Sequence, residues 1–162
     1  MKLRFKTLRQ DWSFIFLTTL IFVLGLLVAV WDFIQLQKAV WSLELLNGAG
    51  LLLFVGGTIL RAVGKRTLGR YYSYGLRTLQ DQKLIQHGVF KHVRHPITLA
   101  ALIYTPAMPL VLSSVYGFLV MLGIVPLFLY RIGIEEKMLI EKFGDEYLQY
   151  MKRTRKLIPL IY

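Results

Sequence analysis

Residues 96–130 hold no charged side chain, and this thirty-five-residue stretch constrains the fold more than any other feature of the chain. As one helix it would be about 52 Å long, far beyond a hydrocarbon core of about 30 Å. It must turn back on itself, and the Ser-Ser-Val-Tyr-Gly run at residues 113–117 carries the turn signal. Both arms are then short. Pro106, Pro109 and Pro126 are expected to kink them, because proline lacks an N–H and its ring collides with the carbonyl four residues back. Backbone groups released this way must find protein or water partners, which suits a helix pair that lines a pocket.

Two further uncharged runs precede the hairpin. Residues 12–31 supply twenty positions, about the length a bilayer-crossing helix needs. That run is longer than a signal-peptide core of about 7–15 residues, and Val28-Ala29-Val30 is a poor cleavage motif, so it reads as a retained span. Residues 45–60 form the second run and carry Gly48, Ala49, Gly50, Gly56 and Gly57, small residues that let membrane helices approach closely. The 56% hydrophobic content exceeds the share of about 45–50% usual in soluble domains. The absence of cysteine excludes a disulfide framework, a thiolate metal site and a cysteine nucleophile.

The net charge of +11 invites a nucleic-acid reading, but the placement of the cations argues for topology instead. Only Lys38 lies between the first two runs. The other nineteen Lys and Arg residues fall in the N-terminal tail, in residues 61–94 or after residue 130. Four spans put all nineteen on one side, the cytosolic one by the positive-inside rule, whereas three would put the basic tail outside. The basic run from Lys152 to Lys156 then meets anionic headgroups. No nucleic-acid-reading motif accompanies the charge.

The expected architecture is an all-α integral membrane protein with about four transmembrane helices, including a C-terminal helical hairpin. It is a single membrane domain over residues 1–162. Span 1 covers 10–34, span 2 covers 43–63, a cytosolic segment covers 64–95, the hairpin of spans 3 and 4 covers 96–130, and a cytosolic helix and tail cover 131–162. Both termini are cytosolic, and the cytoplasmic membrane is the expected location.

Chemistry on a polar reagent must come from the two cytosolic pieces. Arg131, Glu135, Leu139, Phe143 and Tyr147 are spaced by four and form one helical stripe. Its apolar lower part should face inward and carry Arg131 and Glu135 to the mouth of the bundle. Taken alone, the charged pair is equally an ordinary surface ion pair. Gly144 suits a helix end and Asp145 a new N-cap. Gly88 marks a turn, and Pro96 starts the third span. Arg94 and His95 sit where the chain enters lipid, and Arg94 can snorkel to headgroups or grip a ligand carboxylate through its bidentate fork. Tyr71, Tyr72 and Tyr74 read as an interfacial aromatic belt. His87, His92 and His95 match no standard metal spacing. Gly48-Ala49-Gly50 lies inside an apolar span and is no dinucleotide fingerprint, and neither a phosphate loop nor an HExxH motif is present.

Five motifs occur in order: Gly88-Val89-Phe90, Arg94-His95-Pro96, Arg131-x-x-x-Glu135-Glu136, Phe143-Gly144-Asp145-Glu146-Tyr147-x-x-Tyr150 and Arg155-x-x-x-Pro159. With the hairpin between the second and third, this order resembles the isoprenylcysteine carboxyl methyltransferase family and its phospholipid methyltransferase relatives, over residues 82–159. The resemblance implies an integral membrane enzyme that uses S-adenosyl-L-methionine, bound in a cytosolic cofactor pocket. The acceptor would be lipophilic, such as an isoprenylcysteine carboxylate, and would enter from the bilayer. It further implies that Gln82, Lys83, Leu84, Ile85, Phe90, Arg94, His95, Pro96, Ile97, Thr98, Glu135 and Glu136 bind the cofactor. Arg131 and Glu135 would be the catalytic pair, with Arg131 beside the acceptor and the transferred methyl.

The residue types fit that implication. His95 and helix N-terminal amides suit a carboxylate, Glu135 suits an amine or ribose hydroxyls, and Leu84, Ile85 and Phe90 supply an apolar slot for adenine. Thr98 and Phe90 depart from the family, which usually has tyrosine at both positions. A phospholipid amine is an alternative acceptor. An NADPH-dependent membrane reductase similar to the steroid reductases is another reading, since those share a His-Pro turn, but residues 97–101 lack their Asn-Tyr pair.

Overall fold

The computed structural model describes residues 2–35, 44–72 and 83–158. Their elements are helices α1 (Lys2–Gln35), α2 (Glu44–Leu68), α3 (Pro96–Val111), α4 (Val115–Met121), α5 (Ile124–Phe143) and α6 (Asp145–Arg153), with 3₁₀ turns at Gly69–Tyr71 and Gly88–Lys91. The described residues form no strand; one parallel bridge pairs Val93 with Arg155. Among the described residues, three segments are long and apolar enough to cross a membrane: Asp11–Gln35, Leu45–Tyr71 and Val115–Phe143. Helix α3 is apolar but only 16 residues long, or about 24 Å. The molecule is an all-α integral membrane protein, and wide apolar faces of α1 and α2 are exposed, among them Trp12, Leu27, Leu52 and Ile59.

The hairpin turns where the sequence places it. Ser113 adopts φ 60°. Ser114 caps α4, its hydroxyl accepting from Gly117 N at 2.9 Å. The same hydroxyl donates to Asp32 of α1. The helix after the turn breaks at Leu122-Gly123, because Pro126 has no N–H for the Leu122 carbonyl. Val125 N takes that carbonyl instead, at 3.0 Å. Helix α2 reaches five residues beyond the expected span, to Leu68, and α5 runs unbroken past residue 130 to Phe143. The arm that leaves the hairpin therefore carries its charged turns as a rigid continuation of the same helix.

Glycine spacing sets the closest helix contact. Helix α2 packs most extensively on α3. A Cβ built on Gly50 would lie 2.7 Å from Val111 N, one on Gly57 2.8 Å from Tyr104 Cβ, and one on Gly64 2.8 Å from Ile97 Cγ1. The three glycines are seven residues apart on α2, and their partners fall seven apart on α3 in the opposite direction. The helices are therefore antiparallel and touch backbone to backbone. Gly48 and Gly56, of the same residue type, meet nothing within 4 Å. Gly57→Ala is expected to destabilise the protein by about 1–3 kcal/mol, because backbone rather than a flexible side chain must move. Gly56→Ala should be neutral or stabilising by up to about 1 kcal/mol. Thermal denaturation of both variants in detergent checks this, and equal effects would refute the seam.

Candidate active site

The C-terminal tail is clipped to the segment that enters α3. Arg155 N donates to His92 O at 3.0 Å, Arg94 N to Arg155 O at 2.8 Å and His95 N to Lys156 O at 3.2 Å. The positive φ of 60° at Gly88 turns the chain into this segment, a conformation that favours glycine. Tyr150 Oη of α6 donates to Phe90 O at 2.7 Å and locks the turn against α6. Burial pushes the Tyr150 hydroxyl up to about 12, so it stays a donor at any physiological pH.

Behind the clip lies a buried ionic group. Arg94 Nε donates to Glu136 Oε1 at 2.9 Å. Its Nη1 donates to Met151 O at 3.1 Å and Thr154 O at 2.6 Å, the free carbonyls at the end of α6. Lys156 Nζ lies 3.4 Å from Glu136 Oε2. His95 completes the group, with Nε2 at 3.4 Å from Glu136 Oε1 and Nδ1 at 3.6 Å from Glu135 Oε2.

Burial disfavours the charged imidazole of His95, which precedes α3, but hydrogen bonds and charge from Glu135 and Glu136 outweigh it and hold the pKa above 6.5. A raised folded pKa means the protonated ring contributes stability that is complete below 6.5 and lost as pH rises through the folded value. Stability in detergent should therefore fall as pH rises above 6.5. His95→Gln should flatten that limb, and an unchanged pH profile in the variant would refute the assignment.

A cavity of about 400 Å³ opens beside this group. Its volume lies within the range of about 300–1,000 Å³ usual for small-molecule sites. Arg131, Glu135, Leu139 and Phe143 of α5 and Tyr147 of α6 all line it, as their four-residue spacing predicts. Gly144, at φ 53°, interrupts the helix without turning the stripe away. Asp145 is the first residue of α6, and its N-cap position is held by Gly144, without a side-chain cap.

Of the residues expected at the cofactor, Lys83, Leu84, Ile85, Phe90, Arg94, His95, Ile97, Thr98 and Glu135 line the cavity. Pro96 and Glu136 do not. Pro96 is fully buried in the first turn of α3, and Glu136 points to the ionic group and the tail. Arg94 reaches the wall, but its guanidinium is spent on Glu136 and the α6 carbonyls, so a ligand-gripping fork is a poor description of it. Gln82, Tyr74 and Pro159 lie outside the described residues. Tyr71 and Tyr72 also line the cavity rather than serving only as a belt, with Lys65 Nζ 4.8 Å from the Tyr72 ring centre.

Sequence reasoning missed the contribution of the first two helices. Arg131 Nη1 donates to Asp11 Oδ1 of α1 at 3.0 Å, and its guanidinium stacks 4.4 Å from the Phe14 ring centre. Phe14 packs edge-on to Phe128 at 5.1 Å. Arg61 of α2 donates to the Tyr104 hydroxyl of α3, and both line the cavity. The one available signal was a lone acid and a lone base at the ends of apolar runs.

The polar residues fit S-adenosylmethionine in kind. Glu135 is an acceptor, and Ile97 and Thr98 at the start of α3 have N–H groups with no intrahelical partner. Tyr147 adds a buried hydroxyl with no hydrogen-bond partner among the described residues.

Comparison with protein-family models matches residues 50–141 to the isoprenylcysteine carboxyl methyltransferase (ICMT) family. Among curated proteins, the protein-S-isoprenylcysteine O-methyltransferase of Saccharomyces cerevisiae is 30% identical over 144 residues, covering 86% of this chain and 60% of the relative. Methanethiol S-methyltransferase 1 of Bradyrhizobium diazoefficiens is 28% identical over 148 residues, covering 84% of this chain and 51% of the relative. The chain thus spans between half and three fifths of the length of these relatives. A solved structure of the eukaryotic intramembrane Ras methyltransferase ICMT superposes with a TM-score of 0.77 at 24% identity, over 86% of this chain and 52% of that one. It shares the fold.

Proposed function

The chain belongs to the isoprenylcysteine carboxyl methyltransferase family, and from that premise we propose that it transfers a methyl group from S-adenosylmethionine to a lipophilic acceptor, such as an isoprenylcysteine carboxylate, drawn from the bilayer. One observation carries the reading. A single cavity is lined both by the polar set His95, Glu135 and Arg131 and by the apolar side chains Phe14, Ile15 and Phe128 of the two membrane helices α1 and α5. A polar cofactor and an apolar acceptor need such a site in common.

S-adenosylmethionine held here would supply an electrophilic methyl group to the acceptor, with the electron pair of the broken carbon–sulfur bond left on sulfur. Glu135 accepts hydrogen bonds from the cofactor's amine or ribose hydroxyls, oriented by the 3.6 Å contact with His95. The Ile97 and Thr98 amides receive its carboxylate. Leu84, Ile85 and Phe90 hold the adenine, and Lys83 lies at the rim. Arg131, fixed by Asp11 and Phe14, sits beside the acceptor. A carboxylate acceptor needs no base. The residues contribute alignment of the two reactants and exclusion of water. The placement of the cations favours one membrane domain, with residues 64–95, residues 131–162 and both termini on the cytosolic side of the cytoplasmic membrane.

Calorimetric titration of S-adenosylmethionine, S-adenosylhomocysteine and NADPH into the detergent-purified protein tests the reading. Binding of the first two in the micromolar range, without NADPH, is expected. Binding of NADPH alone would overturn it in favour of a reductase. The bacterial S-methyltransferase relative makes a thiol acceptor the second candidate, and transfer to an alkanethiol but not to a prenylcysteine acid would select it.

A further inference from the structure

We propose that Arg61 and Tyr104 form an anion clamp inside the cavity and determine specificity for acceptors that carry a carboxylate. The proposal rests on the methyltransferase reading and extends it to two residues on helices α2 and α3.

Arg61 lies within the apolar segment Leu45–Tyr71. At the charged end of that segment a cation can snorkel to the interface or turn into a protein cavity. Arg61 does face the cavity. Its guanidinium donates to the Tyr104 hydroxyl and sits 5.4 Å from the centre of the same ring. Among the described residues it forms no ion pair.

Three other cationic groups of the cavity wall are already matched. Arg131 is paired with Asp11 and Arg94 with Glu136, and His95 lies between two glutamates. Arg61 is therefore a cavity-lining cation without an acidic partner among the described residues; Lys83, which also lines the cavity, is exposed to solvent. Tyr104 sharpens the geometry. Its oxygen is occupied as an acceptor by Arg61, so its own O–H proton is left to donate. A planar guanidinium and a phenol proton from neighbouring helices together suit a carboxylate. The same pair repels a lipid ammonium, which sets acid acceptors apart from phospholipid amines.

The backbone supports this placement. Gly57, one turn before Arg61, brings α2 against Tyr104 itself, since a Cβ there would lie 2.8 Å from Tyr104 Cβ and 3.0 Å from its N. The seam between α2 and α3 holds the two clamp residues in register.

The test uses the full chain in detergent with N-acetyl-S-farnesylcysteine and its methyl ester as probes, binding being read directly. The parent should bind the acid at least about tenfold more tightly than the neutral ester, the size expected of hydrogen bonds to a charged group. Arg61→Gln should bring that ratio within about threefold, Arg61→Lys should retain most of it, and Tyr104→Phe should lower it. No acid preference in the parent, or an undiminished one in Arg61→Gln, overturns the clamp. If Arg61→Gln does not fold, Tyr104→Phe decides, and an unchanged ratio there overturns it. Titration of S-adenosylmethionine into the parent separates the two questions. Its failure to bind would sink the methyltransferase reading, while the acid-to-ester ratio alone judges the clamp.

Discussion

Arg94→Ala is expected to destabilise the protein by about 3–5 kcal/mol, the cost of breaking a buried charge pair from one side. The Arg94 and Glu136 side chains are only 8% and 9% exposed, so water cannot replace the lost partner. The change removes the 2.9 Å bond to Glu136 and strips the carbonyls of Met151 and Thr154 of their donor. It also releases the tail, because the clip at residues 92–95 and the end of α6 share this guanidinium. Arg94→Lys should recover part of the loss, keeping the charge without the fork. Thermal and chemical denaturation in detergent measures both variants. A loss under about 1 kcal/mol for Arg94→Ala would show that the group is no buried keystone.

Glu135→Ala should act on binding rather than on the fold. Its side chain is 45% exposed at the cavity wall, so what folding loses on its removal is mainly its contact with His95. The affinity for S-adenosylmethionine should drop about 10- to 100-fold, the loss expected when a charged acceptor is taken from bound donors. Arg131→Ala should instead leave that affinity near the parent value and lower the rate of transfer, because Arg131 serves the acceptor side. Calorimetry for binding and a radiolabelled methyl assay for transfer separate the two. Equal affinity in Glu135→Ala and the parent would refute the assignment of Glu135.

These two predictions depend on neighbours that the sequence presents as equals. Glu135 and Glu136 have the same chemistry and lie side by side. Successive residues on a helix point about 100° apart, so only one of them can face a given wall. The four-residue stripe singles out Glu135 for the cavity, and the structure agrees. Nothing local says that Glu136 would meet Arg94, His95 and Lys156, whose chain distances are set by the hairpin and the tail.

What the sequence determined by itself is whatever depends on solvent and local conformation. Uncharged runs of this length are apolar helices in a membrane, because a helix satisfies its own backbone polar groups there and a crossing strand is about half as long and alternating. Glycine at positions 88 and 144 and serine at 113–114 mark turns, because of the backbone angles and capping bonds those residues allow. The inward stripe from Arg131 to Phe143 follows from helical period alone, and Tyr147 keeps to the same cavity across the break at Gly144. Tertiary structure decided the rest. It chose Gly50, Gly57 and Gly64 over Gly48 and Gly56 for the helix seam. It joined Asp11 to Arg131 across 120 residues and Arg61 to Tyr104 across 43. Pairs so far apart leave no local pattern, because their meeting depends on how whole helices pack, and packing in a bilayer is selected by close contact rather than by polarity.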